Sequence, residues 1–343
     1  METMIASAAQ TAEAARFIRS GGLVVFPTET VYGLGASALD AEAAKKIYAA
    51  KGRPSDNPLI CHFARPEDVE RYCETSPLFY RLAERFMPGP LTVILPKKTR
   101  NGAPIIPDTV TGGLPSVGVR VPSNPIARDF IDKCGVPIAA PSANLSGTPS
   151  PTTLRHVLED MYGRADCIID GGDSEIGVES TIVLPKSDGS GVKLLRPGGI
   201  TAEMLEQLCG SVEIDPSVSQ KFDGVPLAPG MKYRHYAPKA KVVMLDGSDE
   251  AVYAFLADKR DCGILCYDGD TPLLDYPFCQ TMGAKDNHAA QAHRLFACLR
   301  DFHDVETIYA RMPARDGVGL AVFNRLIKAA GYDILPLDEP SSH

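Results

Sequence analysis

Apolar side chains recur at helical spacing over residues 8–20, and the run stops at Gly21-Gly22, a pair that suits a helix C-terminus. Residues 23–27 follow as a short continuous apolar run, the pattern of a buried strand. The alternation then continues. Asp40 is placed to cap a helix through residues 41–51. Strands are predicted at 57–63, 91–95, 116–122, 136–141 and 166–170, and helices near 77–86, over 125–135 and over 153–163. Pro125 falls in the first turn of one helix and Gly135 just past its end. Residues 180–185 and 192–198 are expected to pair as a hairpin, and a helix from Thr201 to Gly210 closes the region.

Residues 211–240 break the pattern: four prolines, no helical period and no strand alternation. They read as a long linker, yet Met231 to Tyr236 is aromatic and basic, unlike a passive tether. A second alternating unit starts at 241, with strands at 241–246, 262–268 and 307–313 and helices at 249–259, 288–303 and 319–331. The expected organisation is an α/β domain over 1–210, a linker or lid over 211–240, and a smaller open α/β domain over 241–343.

A length of 343 residues fits two domains, and 44% hydrophobic with 23% charged residues excludes a fibrous or disordered chain. The net charge of −8 argues against a broad basic face for nucleic acid, though not against a local strip. Nine cysteines lack C-x-x-C spacing, with Cys262 and Cys266 the nearest pair, so neither a zinc site nor a disulfide framework is expected. Free thiols, the absence of a signal-peptide core and the absence of a long apolar run predict a soluble cytoplasmic protein with no membrane partner.

The familiar phosphate-binding motifs are missing: Gly172 and Gly177 have the spacing of a P-loop, but Val178 stands where lysine is required. His288 and His293 are five apart and read as surface residues. Four other segments carry polar groups that packing alone does not need. Residues 27–35 (PTETVYGLG) follow a strand, read as a loop whose glycines allow close backbone approach, or as a plain connection. Residues 51–62 place Lys51 and Arg53 around Gly52, a compact anion site or a solvated helix end. Residues 141–150 (PSANLSGTPS) offer hydroxyls and amides, as turns also do. Residues 179–181 (EST) and 196–199 (RPGG) leave Ser180 and Arg196 able to face one cleft.

In this order, PTETVYGLG, KGRP with NPLI and His62, PSAN with SG, then ESTIV and RPG, the segments resemble the YrdC-type domain of threonylcarbamoyl-AMP synthases over roughly residues 10–210. The hallmark is K-x-R with a distant S-x-N, here Lys51/Arg53 and Ser142/Asn144. Residues 241–343 look like the extension of two-domain members, and Arg234-His-Tyr-Ala-Pro looks like their linker. The resemblance implies a twisted, mixed sheet with a concave ligand face plus a Rossmann-like domain. It implies a nucleotidyltransferase joining L-threonine, bicarbonate and ATP, with Mg²⁺ carried by ATP and no direct protein ligand for it.

By the same resemblance Lys51, Arg53, Ser142 and Asn144 form the catalytic set. Arg53, Asn57, Ser116, Ser142, Ser150, Arg196 and Tyr236 would hold ATP; Thr30, His62, Arg120, Ala140 and Ser180 would hold threonine. The implied product feeds a tRNA threonylcarbamoyl transferase complex, while direct tRNA or double-stranded RNA contact stays open. Two rivals of the same domain type are weaker. A pure RNA-binding module conflicts with the acidic balance, and a carbamoyltransferase of hydrogenase maturation should carry zinc-finger cysteine pairs.

Overall fold

The computed structural model describes residues 2–232 and 235–337. Helix boundaries follow the capping chemistry. Asp40 accepts from the backbone N–H groups of Glu42 and Ala43 at the start of its helix, and Gly52 closes it in the left-handed region at φ 63°. Asn124 caps the helix that opens with Pro125, and Gly135 ends it at φ 73°.

The first unit contains β1 (Met4–Ala6), α1 (Thr11–Arg19), β2 (Val24–Phe26), β3 (Gly33–Ser37), α2 (Ala41–Lys51), β4 (Ile60–His62), α3 (Pro77–Phe86) and β5 (Leu91–Pro96). A small hairpin, β6 (Thr99–Arg100) and β7 (Ala103–Pro104), and a turn of helix, α4 (Asp108–Thr111), precede β8 (Ser116–Arg120). Then come α5 (Pro125–Cys134), β9 (Ile138–Ala140), α6 (Leu154–Met161), β10 (Cys167–Ile169), β11 (Thr181–Pro185), β12 (Val192–Arg196), α7 (Ala202–Cys209) and β13 (Val212–Ile214). Eleven of these strands form one mixed sheet in the order β1-β10-β2-β3-β9-β4-β8-β5-β11-β12-β13.

The second unit runs β14 (Lys241–Asp246), α8 (Asp249–Leu256), β15 (Gly263–Cys266), β16 (Cys279–Thr281), α9 (His288–Asp301), β17 (Thr307–Arg311), α10 (Gly319–Ala329) and β18 (Ile334–Pro336). Its five strands, ordered β16-β15-β17-β14-β18, all pair in parallel. The expected fold class therefore holds: a large mixed sheet and a smaller parallel α/β sheet. No described helix is long and apolar enough to cross a membrane.

Three readings of the sequence change. Gly33-Leu34-Gly35 is not loop but part of β3, antiparallel to β2. Its glycines serve packing, since a Cβ on Gly35 would lie 2.6 Å from Ile138 Cγ2 and 2.9 Å from Phe26 Cε1. The span 211–240 contributes β13 and a 3-10 turn at Pro216–Val218, so it is not uniformly irregular. Finally β1, β16 and β18, three residues each, escaped notice because they are too short to display a two-residue period.

The two units share a core. Val31 and Val178 of the first cluster with Tyr236, Leu295 and Phe296. At this seam Gly177 sits at φ 83°, where a Cβ would lie 2.4 Å from the Cα of His293; only glycine lets the loop approach α9 so closely.

Candidate functional site

Three adjacent strands lay the floor of a cleft. The registers His62↔Arg120 and Ile60↔Ala140 bring β8, β4 and β9 side by side. Alternation turns Ile60 and His62 to one face while Cys61 enters the opposite core. The cleft encloses about 680 Å³, its open mouth included. Loop 141–150 walls one side, Ser180 and Arg196 another, and Pro229, Gly230, His235 and Tyr236 come over it.

The wall loop is built on Lys51. This side chain is buried at the last turn of α2, and its Nζ donates to the carbonyl of Ser142 at 2.5 Å and to that of Asn144. Ser142 Oγ donates to Asn144 Oδ1 at 2.5 Å, and Asn144 Nδ2 donates to the carbonyls of Leu145 at 2.7 Å and Thr148 at 2.9 Å. Burial, then the charge of Arg53, pulls the Lys51 ammonium well below its ordinary pKa. Lys51 is thus a brace inside the loop rather than a solvated cation at a helix end. Arg53, one residue past the left-handed Gly52, donates from Nε to the carbonyl of Asn57 at 3.3 Å and from Nη2 to that of Pro58 at 3.1 Å.

At the other end Arg120 is buried and ion-paired with Glu29 at 2.7 Å, while its Nε is buried with no hydrogen-bond partner among the described residues. Arg120 is therefore a buried, paired residue and not a solvated one on the polar face of a strand. Beside it, burial and Arg120 pull His62 down to about 3, so its imidazole is neutral. Arg196 donates from Nε to the carbonyl of Ser180 at 3.0 Å and from Nη2 to Ser180 Oγ at 3.1 Å. Burial lowers Arg196 to about 10, which leaves it charged at neutral pH. Ser180 Oγ also lies 2.8 Å from Thr92 Oγ1.

Tyr236 adopts φ 64°, stacks on Phe296 with ring centroids 5.2 Å apart, and has the Arg325 guanidinium 5.7 Å above its ring. Lys232 of the same segment pairs with Asp56 at 3.5 Å. Tyr233 and Arg234 lie outside the described residues.

The cleft brings together Lys51, Arg53, His62, Arg120, Ala140, Ser142, Asn144, Ser150, Ser180, Arg196 and Tyr236. Thr30, Asn57 and Ser116 stand outside its lining. Thr30 backs the wall through Thr28, whose Oγ1 is 2.9 Å away, and Asn57 acts through its carbonyl on Arg53. Ser116 opens β8 opposite Pro96. Sequence reasoning missed Glu179, Gly230 and His235 in the lining, and Glu29 as the buried partner of Arg120. Glu29 and Glu179 both lie within motif segments and both are buried, which nothing in the sequence signals. Glu179 is the one carboxylate among the described lining residues, and both its oxygens are engaged, with Ser150 Oγ at 2.5 Å and Arg325 Nε at 2.8 Å. Among the described residues no group of three or more His, Cys, Asp or Glu gathers to hold a metal ion.

A cationic, donor-rich cleft with a braced loop suits a polyanion, and an arginine with a spare Nε suits a carboxylate. Residues 16–198 match the family described as telomere recombination, and residues 200–331 match the family described as threonylcarbamoyl-AMP synthase, C-terminal domain. Threonylcarbamoyl-AMP synthases of Pyrococcus abyssi and Bacillus subtilis are 46% and 44% identical over 336 and 333 residues, covering 94% and 95% of this chain and 94% of each relative. A crystal structure of the P. abyssi protein complexed with L-threonine superposes with a TM-score of 0.88 at 43% identity, covering 98% of this chain and 99% of that one.

Proposed function

Because the chain belongs to the threonylcarbamoyl-AMP synthase family, we propose that its cleft joins L-threonine, bicarbonate and ATP into threonylcarbamoyl-AMP and pyrophosphate, for threonylcarbamoyladenosine modification of tRNA. The observation that carries this reading is the juxtaposition of a carboxylate clamp at Arg120 with a loop braced by Lys51 and flanked by Arg53 and Arg196. Arg120 takes the threonine carboxylate on its free Nε, with neutral His62, Ala140 and Ser180 beside it. Arg53, Arg196, Ser142 and Ser150 face the nucleotide. The amine forms a C–N bond with the bicarbonate carbon, and water leaves. The carbamate oxygen then attacks the α-phosphorus, and the bond to the β-phosphate breaks. No protein nucleophile enters this scheme; positioning and charge neutralisation supply the acceleration. Magnesium arrives with the triphosphate, since the described lining offers cations and hydroxyls but no uncommitted carboxylate to hold it.

Residues 1–210 act in this reading as the catalytic domain, 241–343 as a second domain, and 211–240 as the lid between them. The lid is supported by Pro229, Gly230 and Tyr236 over the cleft and by the 2.8 Å bond from Ala237 N to the Gly147 carbonyl. A closed lid excludes water from an anhydride that hydrolyses readily.

The test is pyrophosphate release, which should require threonine and bicarbonate together. Arg120→Lys keeps a charge for Glu29 but loses the planar fork, and should raise the KM for threonine more than that for ATP. Pyrophosphate formed equally without threonine refutes the reaction.

A further inference from the structure

The second unit reaches the cleft wall with two arginines. Arg325 of α10 is fully buried, and its Nη1 donates to the Pro197 carbonyl at 2.7 Å and its Nη2 to the Glu179 carbonyl at 3.1 Å. Its Nε holds one oxygen of the Glu179 carboxylate at 2.8 Å, and the other oxygen takes the Ser150 hydroxyl at 2.5 Å. On the far side of Ser150, Arg300 of α9 donates from Nε and Nη2 to the Pro149 carbonyl at 3.1 and 2.6 Å, and Nη2 pairs with Asp160 at 2.5 Å. α9 thus fixes the backbone just before Ser150, and α10 fixes the carboxylate to which Ser150 donates. A buried ion pair adds little net stability over a well-packed apolar pair, so stability alone is a poor account of this one.

We propose that Arg325 is a positioning residue for the nucleotide end of the cleft: by fixing the Glu179 carboxylate it fixes Ser150, which makes the second domain part of the ATP-binding machinery. This rests on the reading that Ser150 faces ATP. Burial pushes the Glu179 carboxyl up, but Arg325, then Arg196 and the Ser150 hydroxyl, outweigh it and hold the group below its ordinary value. The Tyr236 ring, Lys51 and Lys328 complete the charged or titratable surroundings of this carboxylate. Without Arg325 burial gains weight, and Glu179 takes up a proton at higher pH. A protonated Glu179 donates where it now accepts, and Ser150 loses its fixed orientation.

The experiment compares full-length wild type with Arg325→Gln and Arg325→Lys. ATP Kd is measured by calorimetry from pH 5.5 to 8.5, alongside the KM values for ATP and threonine. Arg325→Gln should weaken ATP by about tenfold, the worth of roughly one lost hydrogen bond, with threonine changed less than about twofold. Its acid limb for ATP binding should move to higher pH, and Arg325→Lys should return the limb and part of the affinity. An ATP Kd within about twofold of wild type with an unmoved acid limb, or equal losses for both substrates, overturns the proposal. Should Arg325→Gln lose its cooperative melt, Arg300→Gln carries the same expectation for ATP alone, and equal losses there overturn it. Wild type that binds ATP yet releases no pyrophosphate refutes the reaction and leaves this inference to the Kd values. Wild type that binds no ATP refutes both.

Discussion

Lys51→Met removes a buried brace and tests whether the cleft loop depends on it. The Nζ holds the carbonyls of Ser142 and Asn144, and methionine of similar length fills the space without donating. Each buried acceptor left unmade costs about 1–3 kcal/mol. Relief from burying an ammonium, whose pKa burial already pulls well below its ordinary value, offsets part of this. The net is about 2–4 kcal/mol, which corresponds to roughly 4–15 °C in Tm for domains of this size. Ser142 Oγ and Asn144 lose their reference point together, so the KM for ATP should rise while threonine binding, centred on Arg120, changes less. Scanning fluorimetry and pyrophosphate release read the two effects. A Tm within about 1 °C of wild type would refute the brace and restore Lys51 to the role of a mobile surface cation, where substitutions typically move stability by about 0.5 kcal/mol or less.

The lid and the seam give further tests. Tryptic cleavage at Lys221 and Lys232 should slow when ATP and threonine are both present; equal cleavage with and without them would identify a tether. Lys328 of α10 donates to the Gly230 carbonyl beneath the lid, and burial, then Arg325 and Arg196, lowers it to about 7. The unfolded chain then holds more protons than the folded one between about pH 7 and 10.4, so this lysine makes stability rise with pH across that window. Lys328→Met should flatten the rise of Tm between pH 7 and 9, and parallel Tm–pH curves for mutant and wild type would sink the assignment.

Where structure is set locally, the sequence was readable. Asp40, Asn124 with Pro125, and Gly135 mark helix ends through bonds made within a few residues. The anion-site loops were likewise visible as clusters of Lys, Arg, Ser and Asn. What was hidden is long-range. Arg120 meets Glu29 across 91 positions and Arg325 meets Glu179 across 146, and no periodicity encodes either meeting. Lys51 reads as half of an anion site or as a helix-end cation because its motif carries no sign of the carbonyls that it holds. Asn57 stands in a motif segment and Ser116 opens a predicted strand, yet both lie outside the cleft lining, since a one-dimensional pattern does not separate a group on a cavity wall from one behind it.

The distance along the chain between Glu179 and Arg325 also sets an order of assembly. The carboxylate is synthesised 146 residues before its guanidinium. At translation rates of about 5–20 residues per second, the wait is roughly 7–30 s. Throughout that interval the nascent large sheet carries this carboxylate without the guanidinium that holds its second oxygen in the folded chain. Among the described helices, the last in chain order is the one that completes the cleft wall. A polypeptide whose synthesis stops before α10 therefore keeps the Ser150 contact of Glu179 but lacks the brace that the second unit adds to it.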